Sequence, residues 1–303
     1  MNRFLVSLVV VVLALASTGR PSAQPSSHLP IVLSHFGTRV KDFDASKRFW
    51  ITTLGGKPGI AVRPDGPGRK PLHVAFPGIM VEMGPDKVEG GSKGSTIDHL
   101  AFEVKDLRRM VDRLKAAQFR IVTAVEMPPG GSVNGDIGML PGSRRSVAYV
   151  MTADDVEVEL LENGAMTEPI VFSHVHLMAP RGQRSTLRDW YKHALGATEG
   201  ESGAWYDALD MPGYKGLLRF SEAAGPVKGT TGRVLNHMGF EVKNLRGTYP
   251  GLKKRMPGLA EIGSYEPQPE VIFSFTKDPF GTDVQFGEHP AGLFFAGFEP
   301  TEK

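Results

Sequence analysis

Four segments of this chain begin alike, and that repetition constrains the fold more than any other feature. They are LSHFGTRVKDF from Leu33, IDHLAFEVKDL from Ile97, FSHVHLMAPRG from Phe172 and LNHMGFEVKNL from Leu235. Each sets a histidine near the start of an apolar, alternating stretch that reads as a β-strand, then runs into polar residues able to open a helix. The spacing holds register: His35 to His99 is 64 residues and His174 to His237 is 63, while His35 to His174 is 139 and His99 to His237 is 138. One pair of units has been duplicated.

Behind each first strand comes a helical pattern: DASKRFWITTLGG from Asp44, DLRRMVDRLKAAQF from Asp106, RSTLRDWYKHALG from Arg184 and NLRGTYPGLKKR from Asn244. Asp44 is a suitable N-cap, and Gly55 and Gly196 suitable stops. Pro250 predicts a short or kinked fourth helix. The chain then returns to short apolar runs broken by turns: PLHVAFPGIMVEMG, RSVAYVMTADDVEVELLE, YKGLLRFSE and VIFSFTKDPFGTDVQFGE. The unit is one strand, one helix and roughly three strands. Two units per domain place domains at 30–165 and 168–292, with 163–167 as a linker. Trp50, Trp190 and Tyr191 sit in amphipathic helices and read as core.

Residues 1–23 read as an export signal. Met1-Asn2-Arg3 is a short positive head, and Phe4 to Ala16 is an apolar run too short to span a bilayer comfortably. Small residues suit cleavage at Ala14-Leu15-Ala16 or at Pro21-Ser22-Ala23, the latter leaving Gln24 first. The expectation is a periplasmic or secreted protein with no membrane association after cleavage. The chain has no cysteine, which excludes disulfides and thiol catalysis. With 35 basic and 33 acidic residues and a net charge of +2, it has no field that would recruit nucleic acid. A small-molecule partner is expected.

A βαβββ unit used four times, with His on first strands and Glu on last strands, resembles the vicinal oxygen chelate superfamily, which includes glyoxalase I, extradiol dioxygenases and bleomycin-resistance proteins. The resemblance runs through HFGTRVKDFDASKRFWITTLGG, DHLAFEVKDL, EVELLE and DPFGTDVQF and covers nearly the whole mature chain. It implies an α+β fold: four βαβββ units paired into two glyoxalase-like domains with cupped mixed sheets. It also implies a divalent metal held from the first and last strands of paired units. In the first domain those positions fall on His35, Glu82, His99 and Glu159. Imidazole and carboxylate suit Fe(II), Mn, Ni, Co or Zn.

In the second domain His174 and His237 take the histidine positions. The last strand of unit four offers Gln285, and the counterpart of Glu82 lies near Arg219 or Phe220. A weak second site of His174, His237 and Gln285 follows, in a domain otherwise retained for packing. His176, on the same strand face as His174, reads as a core or surface residue, with replacement of a lost ligand as the other reading. His28, His73, His193 and His289 fall outside the repeat and read as structural or exposed. The loop Pro128 to Gly131 lacks the context of a phosphate site.

The function implied is an exported, metal-dependent glyoxalase-like enzyme of lyase or isomerase type. Its substrate would carry vicinal oxygens, and Glu159 or Glu82 would move a proton. The alternatives are an extradiol ring-cleaving dioxygenase and a non-catalytic small-molecule-binding protein of the bleomycin-resistance kind. Four units in one chain allow a monomer as readily as a homodimer.

Overall fold

The computed structural model describes residues 31–59, 72–85, 87–211, 214–265 and 268–289. The export signal expected over 1–23 and His28 lie outside these residues. Unit one comprises β1 (Ile31–Val40), α1 (Phe43–Lys47, running on as a widened helical turn over Arg48–Thr53), β2 (Lys57–Pro58), β3 (Leu72–Phe76) and β4 (Ile79–Pro85). Unit two comprises β5 (Ile97–Val104), α2 (Leu107–Ala116), β6 (Arg120–Ile121), α3 (Thr123–Glu126), β7 (Ser132–Asn134), β8 (Ile137–Met139), β9 (Ser146–Met151) and β10 (Glu157–Glu162). Unit three runs through β11 (Ile170–Ala179), α4 (Arg184–Leu195), β12 (Thr198–Glu199), β13 (Asp207–Met211) and β14 (Tyr214–Glu222). Unit four runs through β15 (Leu235–Val242), α5 (Leu245–Arg255), β16 (Gly263–Tyr265), β17 (Gln268–Lys277) and β18 (Asp283–Glu288).

Local chemistry explains the helix ends, with two differences from the expected ones. The first helix is capped by Asp42, whose carboxylate accepts from the backbone N–H groups of Asp44 and Ala45, so Asp44 falls inside the first turn. Asp106 and Asn244 cap α2 and α5 in the same way, and Gly196 closes α4 at φ +69°. Pro250 does not break α5, which continues from Leu245 to Arg255. Among the described residues, no helix is long and apolar enough to cross a membrane.

The sheets correct the expected pairing of units. Unit one shares a sheet with unit four, in strand order β16-β17-β18-β15-β1-β4-β3-β2. Unit two shares a sheet with unit three, in order β12-β13-β14-β11-β5-β10-β9-β8-β7, with β6 added on β9. The seams are antiparallel pairs of first strands, β1 with β15 and β5 with β11. Each sheet therefore takes one unit from each of the domains expected at 30–165 and 168–292. A strand-edge pairing is chosen by three-dimensional closure, and neighbouring units in sequence need not share an edge.

One contiguous core draws on all four units. Phe172, on the seam strand of the second sheet, meets Phe36 of the first sheet at 5.8 Å and Phe102 at 5.5 Å between ring centroids. Trp50 and Phe76 close on Phe102 at 6.3 and 5.0 Å. Burying each such ring contributes about 1.5–3 kcal/mol, so this cluster fixes one sheet against the other. Trp50 and Tyr191 are buried as expected, and Trp190 packs at the margin. Tyr191 also donates from its hydroxyl to Asp278 at 3.1 Å, tying α4 of unit three to the turn before β18.

Candidate metal centres

Alternation along a strand puts every second side chain on the concave face of its sheet, which forms a cup. In the first cup, β1 and β15 run antiparallel so that His35 lies opposite Gly239 and His237 lies opposite Gly37. Each imidazole occupies the space its opposing glycine leaves. A Cβ on Gly239 would sit 1.9 Å from His35 Cε1, and one on Gly37 would sit 2.0 Å from His237 Cε1. The rings meet with their Nε2 atoms 3.1 Å apart. The last strands add Glu82 beside Gly37 and Gln285 beside Gly239. Glu82 offers an oxygen within 4.8 Å of both imidazoles.

Hydrogen bonding sets the tautomers here. The Ser34 hydroxyl donates its one proton to the Gly239 carbonyl, so at 3.0 Å from His35 Nδ1 it accepts from that nitrogen. His237 Nδ1 donates to Asn236 Oδ1 at 2.7 Å. The two Nε2 atoms are in hydrogen-bond contact, in which one ring donates to the other. Burial, first, and the neighbouring His237 hold the His35 pKa well below its ordinary value, which keeps that ring neutral. Deprotonated at Nε2, the two imidazoles with the Glu82 carboxylate form a donor set able to hold a metal ion. Outer hydrogen bonds that fix ring orientation are the usual support of such a site.

The second cup is built on the same plan with different residues. His99 lies opposite His176, and His174 opposite Ala101. Glu159 lies beside Ala101 and Arg219 beside His176, so Arg219 stands where the first cup has a ligand-capable last-strand residue. His174 Nε2 is 3.2 Å and His99 Nε2 3.7 Å from Glu159 Oε2. Donor atoms of His99, His174 and His176 all lie within 4.8 Å of one another. Tyr149 donates to the other Glu159 oxygen at 2.8 Å, and His99 Nδ1 donates to Asp98 at 2.8 Å.

The charge state of this cup follows from its partners. Burial opposes charge on His99, but Asp98 and Glu159 outweigh it and raise its pKa to about 10. Burial and then Arg219 push His174 down to about 3. Lys93 bridges three carboxylates, Asp98 at 3.1 Å, Glu126 at 2.8 Å and Glu157 at 3.3 Å. A cavity of about 440 Å³ opens over these groups and reaches His99, His176, Tyr149 and Trp205. Pro128 and Pro129, from the loop that lacks the context of a phosphate site, form part of its wall.

These positions correct two expected sets. His35 and Glu82 lie in the first cup and His99 and Glu159 in the second, so the four do not form one site. The second expected set is divided likewise: His174 faces the second cup, whereas His237 and Gln285 belong to the first. The two would-be catalytic carboxylates, Glu82 and Glu159, serve different cups. The cause is the exchanged pairing of units. His73, expected to be structural or exposed, is buried 3.9 Å from Glu82, while His289 pairs with Glu241 at 2.7 Å and His193 is exposed.

Sequence reasoning did not single out Ser34, Asn236, Asp98, Tyr149, Glu157 or Lys93, and for His176 it ranked a core or surface role ahead of replacing a lost ligand. One signal was present for His176. Two residues after each repeat histidine the chain has Gly37, Ala101, His176 and Gly239, so unit three alone departs from a small residue.

Residues 34–139 match the family model described as the Glyoxalase/Bleomycin resistance protein/Dioxygenase superfamily. No curated protein matches the sequence. Among solved structures, glyoxalase I from Zea mays is similar at TM-score 0.63 and 17% identity, over 86% of this chain and 93% of that one. A point mutant of the same maize enzyme is similar at TM-score 0.67, again with 17% identity and coverage of 86% and 93%. At that identity the likeness establishes the fold, and it spans all four units.

Proposed function

We propose, from the match over 34–139 and the glyoxalase I-like fold, that the chain belongs to the glyoxalase/bleomycin resistance protein/dioxygenase superfamily and is an exported, divalent-metal-dependent enzyme of glyoxalase-like type. It would act in the first cup on a small substrate with two adjacent oxygens. The observation that carries this reading is the pair of imidazoles, His35 and His237, whose Nε2 atoms converge at 3.1 Å beside Glu82. In this cup all four first- and last-strand positions bear ligand-capable side chains: His35, Glu82, His237 and Gln285. Two imidazoles with carboxylate and amide oxygens suit Zn, Ni, Co, Fe(II) or Mn.

A bound ion there would supply Lewis acidity toward the substrate's neighbouring oxygens. The protein's part is positional and acid–base. Ser34 and Asn236 hold the two rings in the ligand-competent tautomer. Glu82, half-buried and close to His73, is the group placed to take a proton from a carbon beside a carbonyl and return it to the adjacent atom. Export rests on the reading of residues 1–23.

The test is metal content and turnover of the full chain, compared with His237→Ala and Glu82→Gln. After loading with Ni, Co, Zn, Fe(II) or Mn, the chain is offered a panel of α-hydroxycarbonyl and α-ketoaldehyde compounds. Turnover is expected to vanish in both variants, with the first-cup ion lost in His237→Ala. A folded His237→Ala protein that keeps both its ion content and its turnover sinks the reading. The second reading, an extradiol dioxygenase, is favoured by one feature: two imidazoles and a carboxylate, His99, His174 and Glu159, of which His99 lines the 440 Å³ cavity. Dioxygen uptake by the Fe(II)-loaded chain with a catechol would favour it.

A further inference from the structure

We propose that His289, oriented by Glu241, is a second proton-handling residue of the first cup, and that the substrate there is a small α-hydroxycarbonyl compound whose hydroxyl and carbonyl exchange places. This rests on the reading of the first cup as the active site.

The sequence leaves His289 outside the repeat, yet the fold returns it to the cup. From Gln285 along β18, alternation carries Gly287 and then His289 onto the same face. On β15, Gly239 stands beside Gln285 and Glu241 beside Gly287, so Glu241 continues the face that bears His237. Gly287 leaves a gap here, as Gly37 and Gly239 do for the two central rings. A Cβ on it would sit 3.0 Å from His289 Cε1 and 3.7 Å from Gln285 Nε2. The imidazole therefore leans back over Gly287 toward the Gln285 amide. Burial and His237 lower the His35 pKa most, and His289 adds to them, which puts it within electrostatic reach of the centre.

Glu241 grips this residue twice. One oxygen accepts from the His289 backbone N–H at 2.9 Å and the other from the ring Nδ1 at 2.7 Å. The two side chains are only 4% and 14% exposed. The grip fixes the plane of the ring and its tautomer, since a neutral imidazole that donates from Nδ1 carries its lone pair on Nε2. A carboxylate at Nδ1 also stabilises the imidazolium formed when Nε2 takes a proton.

A second such group matches one reaction class. Exchange of a hydroxyl and a neighbouring carbonyl moves one proton between carbons and another between oxygens, and Glu82 serves only the first. Glu82 takes the proton from the carbon that bears the hydroxyl. The electron pair of that C–H bond becomes the C=C bond of an enediolate, and the carbonyl π pair moves onto its oxygen. His289 Nε2 takes the hydroxyl proton and delivers it to the former carbonyl oxygen. Glu82 then returns its proton to the former carbonyl carbon, and the other carbon is left as the carbonyl. Both side chains end as they began, and no oxidant or co-reactant is consumed.

The test compares the full metal-loaded chain with His289→Gln and Glu241→Gln, using glyceraldehyde as probe and reading kcat, KM and metal content. In His289→Gln, kcat is expected to fall about 10²–10⁴-fold with KM little changed. The metal content should stay at the wild-type level. Glu241→Gln should lower kcat roughly tenfold or more, and added imidazole should restore turnover to His289→Ala. A folded His289→Gln chain with wild-type kcat overturns the proposal, as does one that loses its ion together with its turnover. If His289→Gln fails to fold, Glu241→Gln decides, and an unchanged kcat there overturns the proposal. Failure of the first-cup reading looks different: the wild-type chain then turns over nothing, or His237→Ala keeps both ion and turnover, and both proposals fall together.

Discussion

The two cups are the same piece of architecture filled in two ways. In the first, each histidine projects over a glycine of the opposing strand, His35 over Gly239 and His237 over Gly37, and the two rings meet at the centre. In the second, His99 faces another histidine, His176, and their rings lie tilted beside each other at 4.7 Å instead of crossing. The last-strand positions differ as well, Glu82 and Gln285 in one cup against Glu159 and Arg219 in the other. A backbone seam can therefore stay constant while one residue, two places beyond a repeat histidine, changes the number of converging imidazoles from two to three.

The largest effect is expected where both cups depend on the same packing. Phe172→Ala removes a ring that touches Phe36 of one sheet and Phe102 of the other, and should cost about 3–5 kcal/mol in urea unfolding. Metal affinity should fall in both cups together. If only one cup responds, the sheets are less tightly coupled than the shared core implies.

Next comes Gly239→Val, which separates the cups. Its Cβ would fall 1.9 Å from His35 Cε1, so that ring must leave its place. The substitution should abolish ion binding in the first cup, cost roughly 1–3 kcal/mol by overpacking, and spare the second cup. Metal titration of the folded variant checks it, and an intact first-cup ion would break the comparison.

A matched pair sharpens it further. Ser34→Ala releases His35 Nδ1, and Tyr149→Phe releases a Glu159 oxygen. Each should lower affinity about 10–100-fold in its own cup and leave the other unchanged. Isothermal titration of the two variants gives a crossed pattern, and an uncrossed one would mean that the two donor sets do not act separately.

The smallest effect concerns the tie between units three and four. Burial, outweighing the hydrogen bonds from Thr282, Phe280 and Tyr191, raises the Asp278 pKa above the ordinary carboxylate value. The folded state thus holds this proton more tightly than the unfolded chain. Its contribution is complete below the ordinary carboxylate range and is lost as pH rises through the raised pKa. Asp278→Asn should flatten stability against pH in that window while leaving both cups loaded, as thermal unfolding across pH can check.

Much of this was written locally. The alternation in IDHLAFEV and EVELLE makes strands with one buried ligand-bearing face, and Glu159 does lie on the cup side with Glu157. The repeat alone placed Glu82, Glu159 and Gln285 at matching last-strand positions, but left Arg219 or Phe220 open in unit three, where the pairing of β14 with β11 selects Arg219. Asp42 displaced Asp44 as a cap because two candidate carboxylates stand two residues apart, and only backbone geometry selects between them. His176 could not be decided between a core role and a replacement ligand because a second histidine on a strand face acquires meaning only when the opposing strand is known.

The repeat determined by itself the unit, its elements and the side chains able to hold a metal, because periodicity, capping and donor chemistry act over a few residues. Tertiary structure alone decided which units share a sheet, and hence that His35 meets His237 while His99 meets His174 and His176. That choice is made by the pairing of strand edges about two hundred residues apart for β1 and β15. No local pattern encodes it, since all four first strands carry nearly the same edge and the common core selects among their pairings.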